Sequence, residues 1–478
     1  MRRSALVTWL VCTGCPNDGP ATGGDGSSST GTADTTGGTE APASGPLSCP
    51  AGESCTLVVV SQAFDDRIEF YGARGSQTGY RGAIDLDLKP NPMGDNSGDF
   101  LDEPYGLAIG DDGLDVLVGH YPARQLGSMV SFPHEFLAAQ PEQGTIAKGT
   151  YFAEGSFTAP VRDIELGEEE PIFMLTHPSG RLLVGVFDND LFEAESSWIN
   201  PGQILVVDPV SGEVGKRSLG MLGEDGCAGA WSLVWLDDAH TRIGVGCDGD
   251  EGAALLDVSQ VGQGTVADAA ASIDGCIADA PFPDKRVRYL APDGDGGILL
   301  AENPTTATLD DGHLWRFDAE CRPLGAPGTV PGELWEVREI VRLPFAGGRR
   351  WLMATGRTAA RGLHVVSDGN PAQVCRTLDD LAPWWTAPDG GELHPFALAL
   401  DREGRGLAVG AGPVDPADDM ASDGRVYWLE LDDTVDPCTA TPVTSVVDLT
   451  ASAPAVVADD PSTWRRGPNV VYVKQYGP

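Results

Sequence analysis

The sequence predicts an all-β fold: a β-propeller, with seven blades, closed by pairing of the N- and C-terminal strands. Three observations predict it. An apolar strand, a tight Gly/Asp turn and a second apolar strand recur along the chain, most clearly in Tyr105–Gly119 (YGLAIGDDGLDVLVG) and Phe396–Gly410 (FALALDREGRGLAVG). The turn centres, near Gly113, Gly180, Ala239, Gly296, Gly348 and Gly404, are 52 to 67 residues apart, enough for a four-stranded blade of roughly 40–50 residues plus insertions. Finally, 62 glycines and 36 prolines in 478 residues, with little helical periodicity, favour one large β domain over several small ones.

The looser copies are Ile172–Phe187, Leu233–Cys247, Tyr289–Ala301 and Ile340–Thr355. Gly or Asp at each turn supplies the positive φ that a tight hairpin needs. Alternating third strands follow in Gly202–Val214, Gly312–Asp318, Gly362–Ser367 and Gly424–Leu431. More polar fourth strands are expected at Glu213–Leu219, Ala372–Leu378 and Pro442–Val447. The segment Thr56–Leu88 holds three strands with no inner strand before them, and Asn469–Tyr476 is a strand without a blade. Lending the second to the first gives the seventh blade and removes exposed sheet edges; six or eight blades are the alternatives.

Some of this grammar resembles known families. The strand-turn-strand GQILVVDPVSGEV is similar to YVTN-type surface propellers, and EPYGLAIGDDGLDVLVG to the opening strands of SMP-30/gluconolactonase and NHL-type blades. The resemblance covers residues 55–475 and implies the propeller fold. The lactonase likeness further implies a metal held by Glu103, an amide from Asn189 or Asn303, and Asp248.

The two chain ends differ from the body. Residues 1–14 read as a lipoprotein signal: Arg2 and Arg3 form a basic start, Ala5–Val11 a short apolar stretch, and Thr13-Gly14 the small residues before Cys15. Cys15 is the expected lipidation site. Pro16 in place of Asp after it favours the outer membrane, by resemblance to bacterial lipoproteins. Residues 15–47 then form the lipidated cysteine and a Gly/Ser/Thr tether. Positions 16–46 lack Val, Ile, Leu, Met and aromatic residues, so no buried surface offsets ordering, and the composition predicts a disordered coil of about 30 Å r.m.s. span. Residues 48–478 are the propeller domain.

Export and cysteine usage agree. Beyond Cys12 and Cys15, eight cysteines remain, an even set that reads as four disulfides. Proximity along the chain pairs Cys49 with Cys55, Cys227 with Cys247, Cys276 with Cys321 and Cys375 with Cys438, the last two tying neighbouring blades.

The charge bounds the partners. Asp and Glu number 71 against 31 Lys and Arg, a net of −40, with only five lysines. This argues against nucleic acid and against anionic lipid, leaving the lipid anchor as the only membrane contact. A monomer is expected, with a protein or glycan partner on the face that carries the long connections Phe187–Pro201, Ala301–Asp311 and Ala411–Asp423. Those connections are acidic. Glu103, Asp188, Asp248 and Glu302 are the candidate ligands for Ca2+ or another divalent cation at the mouth of the channel, because hard cations want several oxygens within about 2.3–2.6 Å. Asp293–Gly297 reads instead as a hairpin turn, lacking calcium-loop spacing. Trp198, Trp384, Trp385 and Trp464 are candidates for stacking on sugars or anchoring a partner, and His120 and His394 for lining the mouth. No GxSxG, HExxH or Walker A pattern occurs. The expected function is an exported, lipid-anchored propeller acting as a binding or interaction module of the envelope. The alternative is a divalent-metal-dependent hydrolase of lactonase type.

Overall fold

The computed structural model describes residues 45–50, 53–62, 67–85, 102–110, 113–120, 128–138, 145–146, 162–167, 171–186, 202–221, 227, 229–247, 252–279, 285–304, 312–331, 334, 337–356, 361–387, 390–413, 423–454 and 468–476. The chain divides into two units, 1–38 and 39–478, and every described residue lies in the second. There, seven antiparallel sheets each correspond to one blade.

Blade 1 is built from Cys55–Gln62, Arg67–Arg74 and Gly79–Asp85, and its innermost strand is the C-terminal Pro468–Tyr476. The register runs antiparallel from Cys55 opposite Tyr476 to Gln62 opposite Pro468. The ring is thus closed by both ends of the domain, as expected. Blades 3 to 7 each take four consecutive strands, and blade 2 takes Asp102–Ile109, Gly113–His120, Ser128–Pro133 and Arg162–Glu165, with Thr145–Ile146 between the last two. Their inner strands are Asp102–Ile109, Pro171–Thr176, Ala230–Trp235, Lys285–Pro292, Val337–Leu343 and Leu393–Leu400. The expected fourth strands are present at Val214–Ser218, Gln373–Thr377 and Val443–Asp448. A two-residue strand, Thr145–Ile146, adds a parallel outer edge to blade 1.

Why these segments form blades is visible in their burial. The second strands Leu182–Val186 and Arg350–Thr355 and the third strands Gln203–Val207 and Gly362–Ser367 are almost wholly buried, since both faces of a middle strand meet a neighbouring blade. Seven apolar clusters result, one at each seam between adjacent blades. The closing seam packs Val58, Val60 and Tyr71 of blade 1 against Ala408, Val426 and Trp428 of blade 7. Gly406 is required there: a Cβ would lie 1.9 Å from the Trp428 ring.

The hairpin turns hold with one correction. Positive φ falls on Gly180, Gly296 and Gly404, but in blade 4 it falls on His240 (φ 54°) rather than Ala239. In the Asp293–Gly297 turn, Asp293 Oδ1 accepts from the N–H groups of Asp295 and Gly297, which makes it the structural turn expected.

Two features escaped the sequence reading. Val266–Ser272 is a helix with a Thr265/Asp268 capping box, burying Val266, Ala269 and Ala270 against the seam of blades 3 and 4. An arginine just after the first hairpin of several blades also reaches the next blade. Arg181 donates to Val261 O and Gly264 O (both 2.7 Å), and Arg242 to Ala319 O (2.6 Å). Arg350 makes a two-pronged contact with Asp436 (3.0 Å each). The four expected disulfides are present. Cys276–Cys321 and Cys375–Cys438 land on the turns that Arg242 and Arg350 grip, so the seams of blades 4–5 and 6–7 are fastened twice.

Candidate binding site at the mouth of the propeller

Each of the seven inner strands breaks register near its start. The shifts fall between Pro104 and Leu107, Ala230 and Leu233, Arg286 and Tyr289, Val337 and Glu339, and Pro395 and Ala397. In blades 3 and 1 they fall after Pro171 and Pro468. One extra residue per strand is therefore bulged at the same level, and bulges re-aim side chains at rims and sites. In four of the seven the residue just before the bulge is a proline (Pro104, Pro171, Pro395 and Pro468), which suits a position that gives no N–H to the ladder.

The bulges lie on the face where the inner strands begin. On the same face the second strands of blades 3, 5 and 7 end, at Val186, Pro304 and Pro413, and their third strands begin, at Gln203, Gly312 and Arg425; the connections between them lie outside the described residues. The bulge layer is rich in large side chains: Tyr105, Trp231, Arg338 and Phe396 are all half-buried. The Arg338 guanidinium stacks 4.7 Å from the centroid of Phe396. His394, 1% exposed, sits one residue before the proline of that strand, its ring 6.5 Å from Phe396. It belongs to the mouth, as expected, but as a buried neighbour of the aromatic ring.

Glu339 follows the bulge of blade 6. Part of its surface remains accessible, while its carboxyl is enclosed by protein. Burial pushes its pKa up to about 8, and the Ile340 N–H (3.2 Å) offsets only part of that.

Of the four candidate cation ligands, the structure places two. Glu103 pairs opposite Gly119 at the start of the blade 2 inner strand, its side chain outside the described residues. Glu302 lies near the end of the second strand of blade 5 (Ile298–Pro304), level with the Arg286–Tyr289 bulge. Its side chain is fully buried, with Oε2 3.1 Å from His313 Nδ1. Asp188 and Asp248 lie outside the described residues, as do Cys15, Trp198 and Trp464. Among the described residues no group of three or more His, Cys, Asp or Glu gathers as a metal site, and the contact of Glu302 is an imidazole that the acidic-loop reading had not paired with it. Trp384 and Trp385 are corrected: both pack edge-on against Tyr427, 5.6 and 5.9 Å between centroids, and belong to the seam of blades 6 and 7. Tyr427 donates to Trp384 O (2.7 Å), which fixes the connector as core.

No protein-family model matches this chain, and no curated protein does. Solved structures share the fold. A hypothetical selenium-binding protein from Sulfolobus tokodaii superposes with TM-score 0.50 at 12% identity, over 86% of this chain and 94% of that one. The periplasmic gluconolactonase of Pseudomonas aeruginosa gives 0.46 at 13%, over 88% and 99%. At these identities the likeness is one of fold.

Proposed function

We propose that the protein is an exported, lipid-anchored β-propeller that serves as a binding module of the cell envelope and engages a protein or glycan at its mouth. The observation that carries this reading is the ring of seven inner-strand bulges, which gathers aromatic and cationic side chains on the face where the inner strands begin. The signal-like start ending at Cys15 and the four disulfides support the address.

Two measurements test it. Wild-type protein should partition with membranes and incorporate labelled fatty acid, and Cys15→Ser should do neither. Wild-type protein should bind components of a glycan array or of solubilised envelope, and Phe396→Ala should bind them at least about tenfold more weakly, the loss expected for a central aromatic contact. Equal binding by both proteins would remove the mouth from the reading.

A second reading is a divalent-metal-dependent hydrolase of lactonase type. The buried Glu302 carboxylate with its adjacent imidazole favours it. Calorimetric titration of chelated protein with Ca2+ addresses it: neither heat nor thermal shift ends the metal hypothesis.

A further inference from the structure

Independently of what the mouth binds, we propose that the seam between blades 3 and 4 is an acid-sensitive catch. Protonation of His177 releases the grip of Arg181 on blade 4 and loosens that seam on the hairpin face, while the disulfide-tied seams stay shut.

The catch is one turn of blade 3, residues 177–181. It is closed by His177 N–H donating to Arg181 O (2.8 Å) and Gly180 N–H to His177 O (2.9 Å). The His177 ring is buried, 8% exposed. Its Nδ1 accepts from Ser179 N–H (3.2 Å) and lies 2.8 Å from Ser179 Oγ. The backbone donor fixes Nδ1 as an unprotonated acceptor, so the neutral ring carries its proton on Nε2. The same turn aims Arg181 at blade 4, where it donates to Val261 O (2.7 Å), Gln263 O (3.3 Å) and Gly264 O (2.7 Å). The His177 ring also touches that segment: a Cβ on Gly262 would lie 3.4 Å from His177 Cε1.

A second proton on His177 has no good answer there. The Ser179 hydroxyl can turn to accept it, but the Ser179 N–H cannot, and that bond is lost. The groups that face the new charge are cationic or become so. Arg181 is on its own turn, and His240 is on the blade 4 turn, stacked 4.6 Å from Trp235, whose ring is 6.4 Å from His177. Asp237 of that turn is engaged by Thr241 N–H (2.9 Å) and Thr241 Oγ1 (2.8 Å), and Asp238 is exposed. Residues 258–264, which receive Arg181, include no titratable side chain. Burial, His240 and Arg181 together hold the His177 imidazole below the ordinary histidine range. The unfolded or opened chain therefore takes up the proton first as pH falls. Stability from this group is full above about pH 6.5 and is lost below it. Seams 4–5 and 6–7 have Cys276–Cys321 and Cys375–Cys438 beside their arginine contacts, so the same acid leaves them closed.

Glu339 responds to pH in the opposite direction on blade 6, so the test needs a local readout. It is hydrogen exchange by mass spectrometry on the full chain at pH 7.5 and 5.0, corrected for intrinsic exchange. Residues 258–264 report on seam 3–4, and residues 432–440, which receive Arg350, serve as the reference. The opening constant of 258–264 should rise severalfold in acid, with a ceiling of about thirtyfold set by a histidine that titrates normally once released. The reference should not follow. His177→Asn keeps an acceptor for Ser179 N–H and cannot titrate, so its seam should stay closed at both pH values. Arg181→Met removes the grip itself, so 258–264 should exchange fast at both. A wild-type rise below about twofold, an equal rise in the reference, or acid opening retained in His177→Asn overturns the proposal. If His177→Asn does not fold, Arg181→Met decides: protection at pH 7.5 that is lost only in acid would show that the catch does not act through Arg181, and would overturn it.

Discussion

At the scale of single residues, exposure decides which charges matter. Arg74 of blade 1 donates from Nε to Glu430 Oε1 (2.7 Å), from Nη1 to Asp401 Oδ2 (2.7 Å) and from Nη2 to Arg405 O (3.1 Å), and it lies over the Trp428 ring. Its side chain is 28% exposed and that of Asp401 is 0% exposed. Arg322, paired with Asp318 and Glu320, is 69% exposed. Arg74→Ala leaves the Asp401 carboxylate without its cation and should cost about 2–3 kcal/mol in denaturant unfolding. Arg322→Ala should change stability by less than about 0.5 kcal/mol. Glu339 gives a pH signature of opposite sign to an ordinary carboxylate. Its pKa is raised from 4.5 to about 8, so between those values the folded protein binds more protons than the unfolded chain. Stability from this group is full below about pH 4.5 and is lost as pH rises through 8. Glu339→Gln should flatten that decline in a series of thermal melts; an unchanged pH slope would place the titration elsewhere.

At the scale of elements, the period-2 pattern and the Gly turns were legible because both follow from local backbone chemistry. YGLAIGDDGLDVLVG and FALALDREGRGLAVG read as inner hairpins and are inner hairpins. The prolines of EPYG, EPIF, HPFA and GPNV marked the bulges, although only their seven-fold recurrence in space gives the signal meaning. The Arg181, Arg242 and Arg350 staples were not legible, as an arginine after a turn looks like any exposed charge until the neighbouring blade is in place. Trp384 and Trp385 misled for the same reason: Tyr427, which covers them, is 43 residues downstream of Trp384. The helix Val266–Ser272 hid in a polar connector, although T-V-A-D was its capping signal. Thr265→Ala should destabilise the protein by about 1 kcal/mol, since it removes the oxygen that accepts from Asp268 N–H (3.1 Å).

At the scale of the whole domain, the ring depends on a strand contributed from the far end of the chain. Val58 pairs with Val473, more than 400 residues away, and the same C-terminal strand packs between the inner strands of blades 7 and 2. Ending the chain before Pro468 should expose the edge of Cys55–Gln62 and abolish the single cooperative melt, with aggregation in its place. A closed ring fixes two faces, and the functional reading assigns binding to the one with the bulges. The most direct measurement is photo-crosslinking in the expressing cell from a probe at Phe396, in the bulge layer, and from one at Val210, which is 64% exposed in a turn on the hairpin face. Covalent adducts with a glycan or protein from position 396, and none from position 210, are the predicted result. Adducts from position 210 alone, or equally from both, would contradict the assignment of binding to the mouth.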